Sequence, residues 1–506
     1  MPTIGGSVIH NAGRVPDRTA LIAGHRRWTW AELDRAVAQV AARLRSAGLR
    51  PGERFAMIAG NTPENVIAYF AAARNGAIIV PVNARLAAPE IAHILRDAEA
   101  MIVASARELD AVVDAAVAAV EHKVVRFCLE DGGAHDNLLA APADDLVPLD
   151  TDLADESDDA LIIYTSGTTG KPKGVLLDHH RAIWAAMAQV VSLGLRDGDR
   201  YLHLPPLYHS GGVVYLNAIT LLGGTHVLVP GFEPGEVLAT IERERITALL
   251  GVPTMFQFLL RHPDIEKHDV SSWRIGIFGA APMPAPTIEQ LLDRFPGVNF
   301  FQQCGQTEAG PTGIYSTYEQ IRSRPDSSGH VAQPFVQARV VDQDGGDISP
   351  GAVGELVFRG EPIMKGYWRQ PDATAEAFRD GWLHTGDLVE LYDDGALRLV
   401  DRMKDVIITG GRNVYSAEVE QALAGHPDIA DCAVVGRPHP DWGETIVVVV
   451  SPREGHEPTL EAVREYLRTR LADYKIPREL HIGSVPRTPS GKIQKHLVRQ
   501  TLSKGI

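Results

Sequence analysis

At 506 residues the chain is too long for a single hydrophobic core, so one large multi-lobed domain and at least one smaller one are expected. An apolar content of 45% and a charged content of 22% are those of an ordinary globular protein, and a formal net charge of -15 argues against nucleic acid or an anionic membrane as the main partner. Three separated cysteines, Cys128, Cys304 and Cys432, lack C-x-x-C spacing, which suggests neither a disulfide framework nor a zinc site and fits a reducing cytoplasm. No leader-like apolar core opens the sequence, and no run of about 18 apolar residues occurs, so no membrane span is expected.

The first 130 residues alternate helical and strand-like patterns. Thr29 and Glu32 form a capping box ahead of a helix whose Leu33, Val37, Val40 and Leu44 share one face, and Gly48 and Pro51 end it. Residues 55–59 read as a buried strand, Asn61-Thr62-Pro63-Glu64 opens a second helix, and residues 77–82 form another strand. This βαβ rhythm predicts an α/β fold with a largely parallel sheet. Residues 130–159 are acidic and turn-rich, a surface connection into a strand at 160–164. Short strands with Gly/Asp turns between 338 and 399 predict a β-rich subdomain. A compact α+β tail of about 100 residues follows Asp401-Arg402-Met403-Lys404, a size usual for a small domain.

The chemistry begins at residues 164–175, YTSGTTGKPKGV, placed directly after a strand. Glycines let a backbone approach phosphate oxygens, the hydroxyls of Thr165, Ser166, Thr168 and Thr169 add donors, and lysine adds charge. A Walker A loop needs G-x-x-x-x-G-K-[ST] running into a helix. Here Pro172 follows Gly170-Lys171, and the required earlier glycine is missing. This is a different kind of phosphate loop.

The string resembles the signature of the acyl-adenylate-forming superfamily, which includes acyl-CoA synthetases, luciferases and the adenylation domains of peptide synthetases. GQTEAG (305–310), GYW (366–368), HTGDL (384–388), DRMKDVIITGGRNVYSAEVE (401–420) and PSGK (489–492) continue the resemblance in the family's order across nearly the whole chain. It implies a large N-terminal domain of stacked α/β subdomains, residues 1–402. A small mobile C-terminal domain, 405–506, would move about a hinge near Lys404. It implies ATP, magnesium and coenzyme A as cofactors, and a small carboxylic acid as substrate. The acid attacks the α-phosphate of ATP to give acyl-AMP, and a thiol then displaces AMP.

The resemblance also assigns residues. Thr165, Ser166, Gly167, Thr168, Thr169, Gly170 and Lys173 would hold phosphates; Gln303, Cys304 and Gly305 would flank the nucleotide; Asp387 and Arg402 would bind its ribose. Glu308, with Thr168, would organise magnesium, while Thr307 donates to the α-phosphate. Lys492 would enter the site for adenylation, and the Gly410-Gly411 loop would face it for thioester formation. Tyr208 and His209 match the segment gating the acyl pocket. The pocket walls would come from residues 208–217, 252–256, 278–283 and 302–306, with Gly279, Ala280 and Gln306 among them. His179, His180 and His203 are not at metal-ligand spacing and read as structural.

Three positions depart from the family pattern. Cys304 stands where an aromatic ring usually stacks on adenine, Arg412 where an acid is frequent, and Ser416 in place of a usual proline. Arg412 and Ser416 both fall in the loop expected near coenzyme A, where surface variation is one reading of them. Leu207-Tyr208-His209-Ser210 holds no acid to receive an α-amino group, which leaves fatty, aryl or polycyclic acids. Two rival readings stand beside the coenzyme A ligase. One is an adenylating enzyme that passes its acyl group to a carrier protein in trans or to an amine; the other is a non-adenylating nucleotide- or acyl-binding homologue. Homo-oligomerisation is left open.

Overall fold

The computed structural model describes residues 3–140, 147–165, 172–279, 281, 283–487 and 493–503. Local signals set the first elements as expected. Thr29 Oγ1 accepts from Glu32 N at 3.2 Å and Glu32 Oε2 from Thr29 N at 2.8 Å, which starts the helix Trp30–Ser46. Leu33, Val37, Val40 and Leu44 are all buried. Thr62 caps the helix Pro63–Arg74, where Pro63 costs no hydrogen bond because first-turn N–H groups lack helical partners.

Two large sheets follow from the βαβ pattern. The seven-stranded sheet runs parallel through Val125–Cys128, Ala100–Ser105, Arg54–Ile58, Ile78–Pro81 and Asp159–Thr165, then turns antiparallel into Lys173–Asp178 and Gly366–Tyr367. The nine-stranded sheet is parallel from Thr19–Ala23 to Asn299–Gln306, with antiparallel strands at both ends. The helix Pro63–Arg74 touches strands of both sheets and is buried on nearly every side, as a helix between two layers must be. A five-stranded antiparallel sheet supplies the expected β-rich part, and its Leu356, Phe358 and Val389 join the apolar cluster of the two larger sheets.

Beyond Arg402 the chain builds a further five-stranded sheet. Ile407, Val414, Val434, Val448 and Val450 form its core with Val419, Leu423, Val463 and Leu467 from two helices. No described helix is long and apolar enough to cross a membrane.

Candidate active site

Strand Asp159–Thr165 returns antiparallel as Lys173–Asp178, with Tyr164 opposite Gly174 and Thr165 opposite Lys173. The phosphate-loop sequence therefore joins two strands of a hairpin and does not lead into a helix. Ser166, Gly167, Thr168, Thr169 and Gly170 lie outside the described residues, as do Ala280 and Lys492. The two ends of the loop are informative. Thr165 Oγ1 donates to Glu308 Oε1 at 3.3 Å, and Lys173 Nζ sits 4.8 Å from the centre of the Tyr367 ring.

Glu308 lies on a short 3-10 turn, Thr307–Ala309, at the end of strand Asn299–Gln306. The turn is held from outside. Met364 N donates to Glu308 O at 3.0 Å, and Gly310 closes the turn at φ +65°. A Cβ on Gly310 would fall 1.9 Å from Pro362 O, so glycine is required there by contact as well as by conformation. Tyr367 OH donates to the same Glu308 oxygen at 3.1 Å. Burial first, and then the adjacent Glu308 charge, push the Tyr367 hydroxyl well above its usual range, so it remains a donor at neutral pH.

The segment expected to gate the acyl pocket reaches the same turn. His209 precedes the helix Ser210–Leu221, its ring centre 4.7 Å from that of buried Tyr208, and Ser210 Oγ lies 2.9 Å from Thr307 Oγ1. Gly279 and Gly305 are close-approach positions. A Cβ would lie 2.6 Å from Gln303 O at the first and 2.1 Å from Thr312 O at the second. Gln306 precedes the Thr307 turn, opposite Thr312.

Asp387 and Arg402 face one another across an antiparallel ladder, Arg402 Nε 2.8 Å from Asp387 Oδ1. Asp387 is 6% exposed, and Asp387 N donates to Thr385 Oγ1 at 3.0 Å. Asp387 holds the Arg402 guanidinium above its ordinary pKa, against the opposing effect of burial, and Glu308 and Cys304 add smaller contributions. The Asp387–Arg402 pair and the Glu308 cluster thus lie within one electrostatic neighbourhood. Lys404 follows on the Met403–Asp405 turn, where burial pushes its ammonium pKa down. Gly410 and Gly411 take φ +56° and +71° between two strands of the C-terminal sheet, with Gly410 against Trp442.

Gln303, expected to flank the nucleotide, stands on strand Asn299–Gln306. Its side chain faces the helices His179–Leu193 and Ser210–Leu221, where its Oε1 accepts from Tyr215 OH at 2.7 Å and its Nε2 donates to Gln189 Oε1 at 2.6 Å. Gln302, on the opposite face of the strand, is 6% exposed, and its Oε1 has no hydrogen-bond partner among the described residues. Nothing in the order of residues tells these neighbouring glutamines apart.

No group of three or more His, Cys, Asp or Glu suited to a metal occurs among the described residues. A lone carboxylate, Glu308, beside the Thr165 hydroxyl fits magnesium of the kind shared with nucleotide phosphates, not an all-protein cage. The three histidines have other work. His179 Nδ1 accepts from Ile4 N at 3.2 Å, His180 lies 2.7 Å from Glu361, and His203 Nε2 lies 3.0 Å from His226 Nδ1.

Residues 8–368 match the family described as AMP-binding enzyme, and residues 418–492 match the AMP-binding enzyme C-terminal domain. The chain belongs to the AMP-binding enzyme family. A feruloyl-CoA synthase from Amycolatopsis sp is 39% identical over 503 residues, covering 98% of both chains. An indoleacetate–CoA ligase from Aromatoleum aromaticum is 36% identical over 501 residues, covering 98% of this chain and 97% of the relative. Among solved structures, an amide bond synthetase from Marinactinospora thermotolerans superposes with a TM-score of 0.87 at 31% identity, covering 99% of each chain. Members of this family share the α/β architecture seen here, a large N-terminal part followed by a small C-terminal one.

Proposed function

We propose that the protein uses ATP to convert a carboxylic acid to acyl-AMP, releasing pyrophosphate, and then transfers the acyl group to coenzyme A. The observation that carries this reading is the meeting of Thr165 and Tyr367 at Glu308, with Lys173 over the Tyr367 ring and the Asp387–Arg402 pair beside them. Attack of a carboxylate on a phosphate brings anion against anion, so the site must supply fixed positive charge and donors aimed at the phosphate. Lys173 and the loop hydroxyls fill that role at the triphosphate, and Thr307 donates at the α-phosphate. Glu308 and Thr168 would hold magnesium together with nucleotide oxygens, and the ion would neutralise phosphate charge there. Asp387 accepts from the ribose hydroxyls while Arg402 holds its carboxylate in place.

Gln302 completes the nucleotide contacts. A buried amide oxygen without a partner is costly, and the exocyclic amine of adenine is a donor of the right kind to satisfy it. Tyr208, His209, Gly279 and Gln306 line the acid's side of the site, and the sequence alone assigns Ala280 to it. We take residues 1–402 as the adenylating body and 405–506 as a lid turning near Lys404. Lys492 reaches the reacting carboxylate for the first half-reaction, and the Gly410-Gly411 loop takes its place for the second. Alternation of this kind lets one site exclude water and later admit a thiol.

Aryl acids are the class to test first, because two relatives at 39% and 36% identity are named for feruloyl and indoleacetate substrates. The superposition on an amide bond synthetase favours one second reading, transfer of the acyl group to an amine. ATP–pyrophosphate exchange over a panel of aryl, fatty and polycyclic acids tests the first step. Product mass with coenzyme A or amines offered together separates the acceptors. Tight ATP binding without exchange for any acid would overturn the enzymatic reading. Lys492→Ala should abolish exchange yet spare thioester formation from supplied acyl-AMP.

A further inference from the structure

Ser416 is fully buried at the start of the helix Ser416–Leu423, in the C-terminal part of the chain. Its surroundings join three elements. Ser416 N and Ser416 Oγ both donate to Asp401 Oδ2, the hydroxyl at 2.6 Å, and Ala417 N adds a longer contact of 3.4 Å to the same oxygen. Asp401 thereby satisfies two N–H groups that the first helical turn leaves open, and its charge suits the positive end of the helix. Its other oxygen accepts from Arg402 N at 2.7 Å, so the same carboxylate grips the backbone of the ribose-site arginine. From the other side, Lys495 Nζ donates to Ser416 Oγ at 2.6 Å. Lys495 also lies 2.9 Å from Glu420 Oε1, which accepts from Val434 N at 2.8 Å.

The hydroxyl is thus the middle member of a chain, donating to Asp401 and accepting from Lys495. Asp401 belongs to strand Leu397–Arg402 in the β-rich sheet, whereas Lys495 opens the terminal helix Lys495–Ser503. Lys404 lies between the two attachment points of this chain in sequence. A second tie runs beside it, Arg499 Nη2 to Asp405 Oδ1 at 2.8 Å. Proline at 416 would keep the helix start, since a first-turn position tolerates it, but would remove both the N–H and the hydroxyl. Alanine would keep the N–H and remove only the hydroxyl.

We propose that Ser416 is a positioning residue: its hydroxyl latches the terminal helix, through Lys495, to the Asp401–Arg402 strand, and so favours the orientation of the C-terminal part seen here. This rests on the two-step reading above, in which the C-terminal part serves the two half-reactions in different orientations. A latch made in one orientation only biases the balance between them by its own free energy. Removing it changes the ratio of the two half-reaction rates, whereas a merely structural defect lowers both together.

The test compares the intact protein with Ser416→Ala, Ser416→Pro and Ser416→Thr. Acyl-AMP formation is measured by pyrophosphate exchange, and thioester formation from supplied acyl-AMP. The ratio of the two rates should shift about ten-fold, in the same direction, in the Ala and Pro variants, the scale of one charge-assisted hydrogen bond. KM for ATP should stay within about two-fold, and Ser416→Thr, which keeps a hydroxyl, should restore the ratio. Parallel loss of both rates, an unchanged ratio, or a Thr variant that behaves like Ala would overturn the proposal.

Hydrogen exchange over residues 493–503 reads the latch without any catalysis. Faster exchange in the Ala and Pro variants but not in Thr supports it, and equal exchange in all four proteins refutes it. A wild-type protein that makes no acyl-AMP would therefore sink the functional reading alone and leave the latch decided by exchange.

Discussion

Arg402 stands directly across the ladder from Asp387, its guanidinium Nε 2.8 Å from the carboxylate. The pair joins neighbouring strands, Trp382–Leu391 and Leu397–Arg402, so its geometry is set by backbone register. Asp387 is nearly buried and Arg402 is not, so the pair adds little to global stability. In the proposed reaction its value lies in holding the Asp387 carboxylate ready for a diol. Asp387→Asn keeps the shape but removes the negative charge and replaces one acceptor oxygen with a donor. KM for ATP in pyrophosphate exchange should rise about ten-fold, the worth of a charge-assisted hydrogen bond, with KM for the acid unchanged. An unchanged ATP dependence would remove Asp387 from the nucleotide site.

Gly310 makes a separate prediction about the Glu308 turn. Its positive φ and the 1.9 Å approach of a Cβ to Pro362 O leave no room for alanine. Gly310→Ala must push the Pro362–Met364 segment away, and that segment holds Glu308 O and leads to Tyr367. A stability loss of roughly 1–3 kcal/mol is expected for a strained, crowded substitution. Acyl-AMP formation should fall by more than the loss of folded protein explains. Equal losses of folded fraction and activity would contradict the role given to the turn.

Much of this was legible in the sequence because it is local. The Thr29–Glu32 box, the Thr62-Pro63 helix start and the hydrophobic face of Leu33, Val37, Val40 and Leu44 depend on neighbours within a few turns. Pro172 likewise separated the phosphate loop from a strand-to-helix motif, and the chain does return as a strand. What the sequence hid is long-range. Tyr367 meets Glu308 across 59 positions and lies beneath Lys173, a contact that the GYW motif flags without explaining. Alternation along a strand places Gln302 and Gln303 on opposite faces but does not say which face meets Tyr215 and Gln189. Ser416 had surface variation among its readings and is fully buried instead, because its partners Asp401 and Lys495 come from distant parts of the chain.

Gln302→Leu tests the adenine contact. The substitution is close in size and removes the amide oxygen that has no partner among the described residues. Losing one buried hydrogen bond to the base should raise KM for ATP about ten-fold and narrow the preference for ATP over GTP. The apolar side chain also relieves an unsatisfied acceptor in the nucleotide-free protein, so its unfolding midpoint should hold or rise. Retained discrimination between the two nucleotides would place adenine elsewhere.

The buried pair His203–His226 yields a pH prediction. Both rings lie in the core, His203 Nε2 3.0 Å from His226 Nδ1, with His226 Nε2 3.0 Å from Thr220 Oγ1. Burial pushes both pKa values down, His226 to about 3, and the neighbouring His226 ring further disfavours charge on His203. In the unfolded chain both titrate near about 6.5. Below that pH the unfolded state therefore binds more protons than the native one, and stability must fall as pH falls. The contribution is fully present above about pH 6.5 and declines progressively toward the folded-state values, at a limiting slope of about 1.4 kcal/mol per pH unit for each proton. Urea midpoints between pH 7.5 and 5 should drop accordingly. His226→Gln removes one titrating ring while keeping a donor and an acceptor, so it should cost stability at pH 7.5 and flatten the slope toward pH 5. Parallel curves for the two proteins would show that another group carries the acid sensitivity.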